Sequence, residues 1–411
     1  MKMIVLLTIA LRNLWRRKVR TLIVISTITI GLWGLIVIFS LSRGIIEQMV
    51  ENAIFLDVGQ ISIQHNKFLT QKLLEFHLPD SIYGVVNKIR QLGNVKAVSM
   101  RLQVQGLVSS TVSSAGIVLS GIDPGREKQV TIVSNYIQSG QYLQEKDQNK
   151  ILLSQKLAEK LGVTLGDKVV FMAQGANGDI VGSAYRIGGI YSTDMPEFDQ
   201  GNAFVLLKPL QELLQTRTIT EVAIVLHDEA QLSTTKRKIA ELVPKTELVR
   251  VYDWKERFPI LVRYQEIFAA SMWIYYIIIF LAVAMAILNI FFAVVYERIR
   301  EYGILKSIGT SEGFIFFLII TEAAFIGIFS LISGIAIAYL TIRVLMYSGI
   351  DLSVFSGGLK EFGLPVKIYP KLGVLDFFVP VVVTMVTCIL SAVYPAWRAS
   401  RLKPAEAMRF I

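Results

Sequence analysis

Four stretches of this chain carry apolar side chains almost without interruption: Thr21 to Ser42, Ile267 to Tyr296, Gly313 to Ile342 and Phe377 to Pro395. A membrane-spanning helix needs about 20 predominantly apolar residues to cross a hydrocarbon core about 30 Å thick. All four stretches fit that requirement. The first is bracketed by Arg20 and Arg43 and the second by Glu266 and Glu297, while Glu322 alone interrupts the third. The first run is longer than the roughly 7–15-residue apolar core of a secretory leader, and no A-x-A cleavage site follows it, so it reads as a retained anchor.

Between these stretches the period changes. Residues 43–266 form one large outer segment, 343–376 a small one and 297–312 a short charged one, with tails at 1–20 and 396–411. Within the large segment, Val58 to Gln64 alternates as a strand does. Ile82, Val85, Val86, Ile89 and Leu92 mark one helix face, and Val95 to Leu102 is strand-like again. A matching strand, helix and strand recur at Glu221 to Leu226, Ala230 to Leu242 and Leu248 to Tyr252. The intervening residues hold short strands and glycine turns, among them Lys168 to Ala173, Gly175 to Gly178 and Ile180 to Ser192. The expected fold is an α-helical membrane protein with four transmembrane helices and a large α+β extracytoplasmic domain between helices 1 and 2. That domain is a split α/β subdomain with an inserted, mostly-β subdomain. Ile45, Ile46, Met49, Val50 and Ile54 have helical spacing after the first span, and Trp254, Phe258, Leu261 and Phe268 approach the second. The second apolar run, about 45 Å as a helix, exceeds the bilayer core, so both spans are expected to continue outward as stalks.

Composition agrees and charge adds a direction. Of 411 residues, 53% are hydrophobic and 18% charged, below the charged fraction of an ordinary soluble domain. A formal charge of +10 could point to nucleic acid, but the excess sits in the tails. Lys2, Arg12, Arg16, Arg17, Lys18 and Arg20 precede the first span with no acid among them, and Arg398, Arg401, Lys403 and Arg409 follow the last against Glu406 alone. Positive charge beside spans marks the cytoplasmic side. Both termini are therefore expected inside, with no nucleic-acid partner. The single cysteine, Cys388, lies within the fourth run, which excludes an intramolecular disulfide.

The chain offers little catalytic chemistry. No G-x-x-x-x-G-K-[ST] phosphate loop occurs, and Gly162 to Lys168 reads as a turn between helix and strand. Ser233-Thr234-Thr235-Lys236 fits S-x-x-K but lacks the companion motifs of that enzyme class, and reads as a solvated helix start. Asp194, Glu197 and Asp199 lack calcium-loop spacing, and His65, His77 and His227 show no metal-ligand spacing. Glu322 is different. A carboxylate near the centre of a span costs about 2.5–3.5 kcal/mol on insertion scales, which leaves either a bundle-facing structural role or one in conformational coupling. Further along the same span, Gly327, Ser330, Gly334 and Ala338 place small residues at helix-packing spacing. Glu297 to Gly309, wedged between two spans, reads as a charged helix facing a partner.

On these residues the chain resembles a permease of the FtsX/MacB/lipoprotein-releasing (Lol) group of ABC transporters, over nearly its whole length. The basic Leu11 to Arg20 is similar to that family's opening helix, Glu297 to Gly309 to its coupling helix, and Tyr394 to Ala407 to its C-terminal signature. Gly59 to His65, Gly121 to Pro124 and Leu157 to Asp167 resemble the lipoprotein-releasing members. The hairpin around Gln174 to Ser183 is short and lacks the proline-rich hook by which one such permease engages a periplasmic carrier. The resemblance implies a non-catalytic permease subunit in a bacterial inner membrane, with the large domain periplasmic. ATP and Mg would be bound by a partner ATPase dimer and none by this chain. It implies coupling through Glu297, Arg298, Arg300, Glu301, Tyr302, Gly303, Leu305, Lys306, Ile308 and Gly309. It further implies a second permease (self or sister), membrane lipids and lipoproteins as partners, while the short hairpin leaves a periplasmic carrier open. Their lipid anchors would lie against Ile36, Ile38, Phe39, Phe268, Met272 and Ile277. MacB-like efflux of peptides or toxins, and FtsX-like signalling to cell-wall hydrolases, are the alternatives.

Overall fold

The computed structural model describes residues 2–16, 18–193, 195–244, 248–355, 358 and 364–401. Its helices, in chain order, are α1 (Lys2–Arg16), α2 (Lys18–Ala53), α3 (Ile82–Ile89), α4 (Pro124–Val130), α5 (Gln155–Leu161), α6 (Pro196–Gly201), α7 (Leu207–Leu213), α8 (Leu232–Leu242), α9 (Trp254–Arg257), α10 (Pro259–Glu297), α11 (Ile299–Ser307), α12 (Glu312–Ser348) and α13 (Val374–Ser400). The strands are β1 (Ile61–His65), β2 (Val95–Ser109), β3 (Ser114–Ile122), β4 (Ile137–Gly140), β5 (Lys150–Ser154), β6 (Lys168–Gln174), β7 (Ile180–Tyr191), β8 (Asn202–Leu206), β9 (Glu221–Leu226), β10 (Val249–Asp253), β11 (Ile350–Asp351) and β12 (Lys367–Ile368). Two compact units result. One comprises Met1–Ile46, Gln265–Asp351 and Lys367–Ile411, and the other Glu47–Tyr264 and Leu352–Val366.

The first unit is helical, and α2, α10, α12 and α13 are each long and apolar enough to cross a membrane. Between helices in lipid the hydrophobic effect gives little, so small residues that let backbones approach carry the packing. On α12, a Cβ at Gly334 would stand 2.9 Å from Leu32 Cδ2 of α2, and one at Gly327 3.1 Å from Met385 Sδ of α13. Ser330 and Ala338 are buried on the same helix. Thr29 and Ser333 share a hydroxyl hydrogen bond of 2.7 Å, and Trp33 Nε1 donates to Thr341 Oγ1 at 3.0 Å. Cys388 is buried beside Gly327.

Some boundaries move. The third span, expected to stop at Ile342, continues to Ser348, because no breaker intervenes before Gly349 at φ +66°. The fourth runs through Pro395 to Ser400, since Ala396 and Ala399 are packed into a cluster with Val295, Tyr302 and Ile315. The charged segment 297–312 narrows to the α11 helix, flanked by Arg298 and by Gly309 at φ +93°. Trp254 and Phe258 do not share the α10 helix. An Asp253–Glu256 capping box starts α9, the chain breaks at Phe258, and Pro259 opens α10.

The second unit holds the split α/β part. Strands β10, β1, β9 and β2 lie side by side, all antiparallel, with α3 and α8 as the helices of the two β-α-β halves. Their apolar faces meet in one cluster that includes Ile61, Ile63, Ile82, Val86, Ile89, Val222, Ile224 and Ile239. Val58 does not begin the first strand as expected. It ends a π-helical turn, Ile54–Val58, closed by Gly59 N–H donating to Ile54 O at 2.8 Å, with Gly59 at φ +72°.

The inserted part grows out of β2, whose second half leaves the first sheet. Pairings β2–β3, β3–β8, β8–β5, β5–β7, β7–β6 and β6–β2 close a ring of six strands. Closure removes the free edges an open sheet would expose. Val169, Phe171 and Ala173 alternate inward along β6 and join Leu102, Val104, Ile117, Ile151, Tyr185 and Val205 in the filling. The expected mostly-β insertion is thus a small closed barrel.

Candidate functional site

The charged segment is built from its inner face outward. Ile299, Tyr302 and Gly303 recur at helical spacing on one side of α11 and are buried. Tyr302 lies in the cluster with Val295, Ile315, Ile319, Ala396 and Ala399. On the opposite side Ile304 and Ile308 are 50% and 73% exposed, next to exposed Arg300 and Ser307.

A buried polar chain fixes this helix from behind. Arg298 donates from Nη1 to Glu322 Oε2 at 2.6 Å and from Nε to Glu301 Oε2 at 3.0 Å, with its guanidinium 5.2 Å from the Tyr302 ring centroid. The other Glu322 oxygen accepts from Asn13 Nδ2 of α1 at 2.7 Å. One carboxylate therefore joins α1, the start of α11 and the first third of α12. Burial works against the Arg298 charge, but Glu322, Tyr302 and the two hydrogen-bonded carboxylates together raise its proton affinity above the ordinary arginine value. Arg20 pairs with Glu297, and Lys306 Nζ with Glu312 Oε1 at 2.9 Å. A cavity of about 40 Å³ lies among Asn13, Arg16, Arg20, Arg298, Glu301 and Glu322.

The structure sorts the residues singled out from sequence. Arg300, Ile308 and Gly309 are exposed, whereas Leu305 and Lys306 are half-buried. Tyr302 and Gly303 face inward, because the helix turns their positions onto the bundle. Ile304 was missed, and its apolar exposure on a charged helix is the signal that would have found it. Asn13, the third member of the Glu322 chain, was also missed. Glu322, Gly327, Ser330, Gly334 and Ala338 are all buried in the bundle.

The six residues expected to meet a lipid anchor do not form one open face. Ile36 is 1% exposed, packed with Leu32, Ala338 and Ile342, and Phe39 is stacked on Tyr276 at 3.9 Å between ring centroids. Ile38 and Ile277 are exposed, and Phe268 and Met272 half-buried. Bundle packing claims the first two.

Other motifs resolve into architecture. Lys236 of the S-x-x-K match pairs with Asp253 at 3.0 Å and with Glu256, the two residues of the α9 capping box. Asp199 is buried and accepts from Thr193 N–H at 3.0 Å and Oγ1 at 2.7 Å. Asp194 and Leu402 to Ala407 lie outside the described residues. Among the described residues no group of three or more His, Cys, Asp or Glu side chains could hold a metal.

Residues 273–404 match the family model of the FtsX-like permease C-terminal domain, and residues 21–242 that of the MacB-like periplasmic core domain. The second match alone spans more than half of the chain. The chain belongs to the FtsX/MacB permease family. Relatives of this permease include the lipoprotein-releasing system transmembrane protein LolC of Xylella fastidiosa (strain 9a5c), 27% identical over 71% of this chain and 73% of that protein. LolC of Neisseria meningitidis is 23% identical over 95% and 94% of the respective chains. The transmembrane protein LolE of Haemophilus influenzae is 20% identical over 78% and 79%. In the permease α11 and α12 of this junction lie in the first matched region, and α1 precedes the second.

Proposed function

We propose that this chain is the permease subunit of an ABC transporter that releases lipoproteins from the outer face of a bacterial inner membrane. The observation that carries the reading is α11: pinned inward through Arg298 and Glu322, it leaves Arg300, Ile304 and Ile308 as an apolar and basic dock. An ATPase subunit binding ATP and Mg closes against that surface and moves the helix. Glu322 passes the movement to α12 and, through Asn13, to α1. The basic tails put this end in the cytoplasm, so the large second unit is periplasmic and acts on cargo there. The relatives' names as lipoprotein-releasing proteins support the cargo class. Ile38 and Ile277 are the exposed members of the expected anchor-contact set, and the complex is completed by a second permease, a copy or a sister.

Purifying the complex and identifying what co-elutes by mass spectrometry tests this reading. Acylated proteins together with an ATPase support it. Unacylated peptides would replace it with efflux, and a cell-wall hydrolase or its activator with signalling. The dock is tested separately. Ile304→Asp and Ile308→Asp insert a charge into an apolar contact and are expected to weaken ATPase retention about 10-fold or more with membrane insertion intact. Full retention by both variants would move the dock elsewhere.

A further inference from the structure

The second unit contains an ionic cluster with a buried centre that the dock at α11 does not use. Arg101 on β2 donates to Glu127 Oε1 from Nη2 at 2.7 Å and to Glu127 Oε2 from Nε at 3.2 Å. Its Nη1 donates to Glu221 Oε2 on β9 at 3.1 Å and also to the Asp57 carbonyl. Ser99 Oγ donates to Glu127 Oε2 at 2.6 Å. Arg257, the last residue of α9, stands 3.7 Å from Glu221 and 3.9 Å from Asp57 and donates to Gln64 on β1, whose amide donates to Glu221. The side chains of Arg101, Glu127 and Glu221 are 3%, 1% and 0% exposed.

Stability alone does not account for such a cluster. Buried ion pairs gain about nothing over well-packed apolar side chains of the same volume, and this unit already has large apolar cores on either side. What distinguishes the cluster is the set of segments it joins. Asp57 lies in the π turn where the chain leaves α2, and π turns gather at functional positions. Arg257 is two residues before Pro259, where α10 begins. Glu127 sits on α4, just after the barrel strand β3. The connection out of α2 and the connection into α10 are therefore both tied, within two hydrogen bonds or ion pairs, to the root of the barrel.

We infer that Arg101 and Arg257 are positioning residues that make the two connections and the barrel move as one body, so that displacement entering along α2 or α10 reaches the barrel undiminished. The inference rests on the transport reading above for its purpose, though not for its geometry.

Hydrogen exchange on the full chain without the ATPase tests the geometry. Amides of 54–60 and 253–258 are expected to open together in the wild type. Arg257→Gln leaves Arg101 both carboxylates, and it should uncouple the two segments and lower protection at 54–60 about tenfold. Unchanged protection in both segments overturns the inference. The purpose is read in the complex with its ATPase. Arg101→Lys keeps the charge but loses the bidentate fork. ATP turnover should stay within about twofold of wild type while release of acylated protein falls about fivefold. Equal loss of both, or loss of neither, overturns it. Should Arg101→Lys fail to fold, Arg101→Met/Glu127→Gln/Glu221→Gln removes charge and counter-charge together and is expected to give the same split. If the wild-type complex releases no acylated protein with ATP, the transport reading fails, and the exchange experiment still decides the geometry.

Discussion

Burial would strip Arg101 of its charge, yet Glu127 and Glu221 overcome it and raise its proton affinity above the ordinary arginine value. Removing the guanidinium strands two buried carboxylates. Arg101→Ala is therefore expected to lower the stability of the second unit by about 3–5 kcal/mol, measured as a shift in its denaturant midpoint. A loss below about 1 kcal/mol would mean that water replaces the side chain. Asp167 is the contrasting case, a fully solvated carboxylate. Its carboxyl lies below the ordinary aspartate value because it accepts from Thr164 N–H at 2.7 Å and from Thr164 Oγ1 at 2.9 Å. A depressed folded value means that the stabilisation is whole above the unfolded value of about 3.9 and is lost as pH falls through the folded one. Asp167→Asn should consequently show less change in thermal midpoint between about pH 5 and about pH 3 than the wild type. The two residues were not equally legible. Thr164 and Asp167 are neighbours in a turn that the glycines announce, whereas Arg101 meets its partners across 26 and 120 positions, and no spacing rule connects them.

At the scale of elements, the spanning helices were readable because a long apolar run leaves few alternatives in a bilayer. Their phases were not readable. Which side of α11 turns inward depends on Tyr302 finding Ile315 and Ala396, and a nine-residue helix cannot show that by itself. The closed barrel was hidden for the same reason: β2 must pair with both β3 and β6, strands of different sequence separation. The Arg298–Glu322 pair makes the phase testable. Glu322→Ala leaves a buried guanidinium without its carboxylate and should cost about 3–5 kcal/mol. The exchanged pair Arg298→Glu/Glu322→Arg should recover most of the ATPase retention that either single change loses. No recovery would mean that Glu322 acts through Asn13 alone. Gly44 gives a second test. A Cβ there would run into the Tyr369 carbonyl oxygen, in the loop whose Lys371 N–H donates to Ser40 O at 3.0 Å. Gly44→Ala should force that loop from α2 at a cost of about 1–3 kcal/mol, seen as faster proteolysis at residues 369–373.

At the scale of the whole molecule, the chain makes one body from distant pieces of sequence and a second from its long middle. The apolar clusters of the split sheet, the barrel and the layer around Leu56 and Tyr191 draw all their buried members from Val50 to Trp254. Among the described residues, the buried members of these clusters all belong to the second unit itself. A unit whose cores are complete in this way should need neither lipid nor the rest of the chain to fold. Residues 47–264 expressed alone are expected to give a soluble protein with mixed α/β circular dichroism and a cooperative thermal transition. That transition should shift downward with Arg101→Ala, as it would in the full chain. A fragment that aggregates or melts without cooperativity would show that the spans complete this core. The movement proposed to pass along α2 and α10 would then have to cross a shared interior rather than two helical connections.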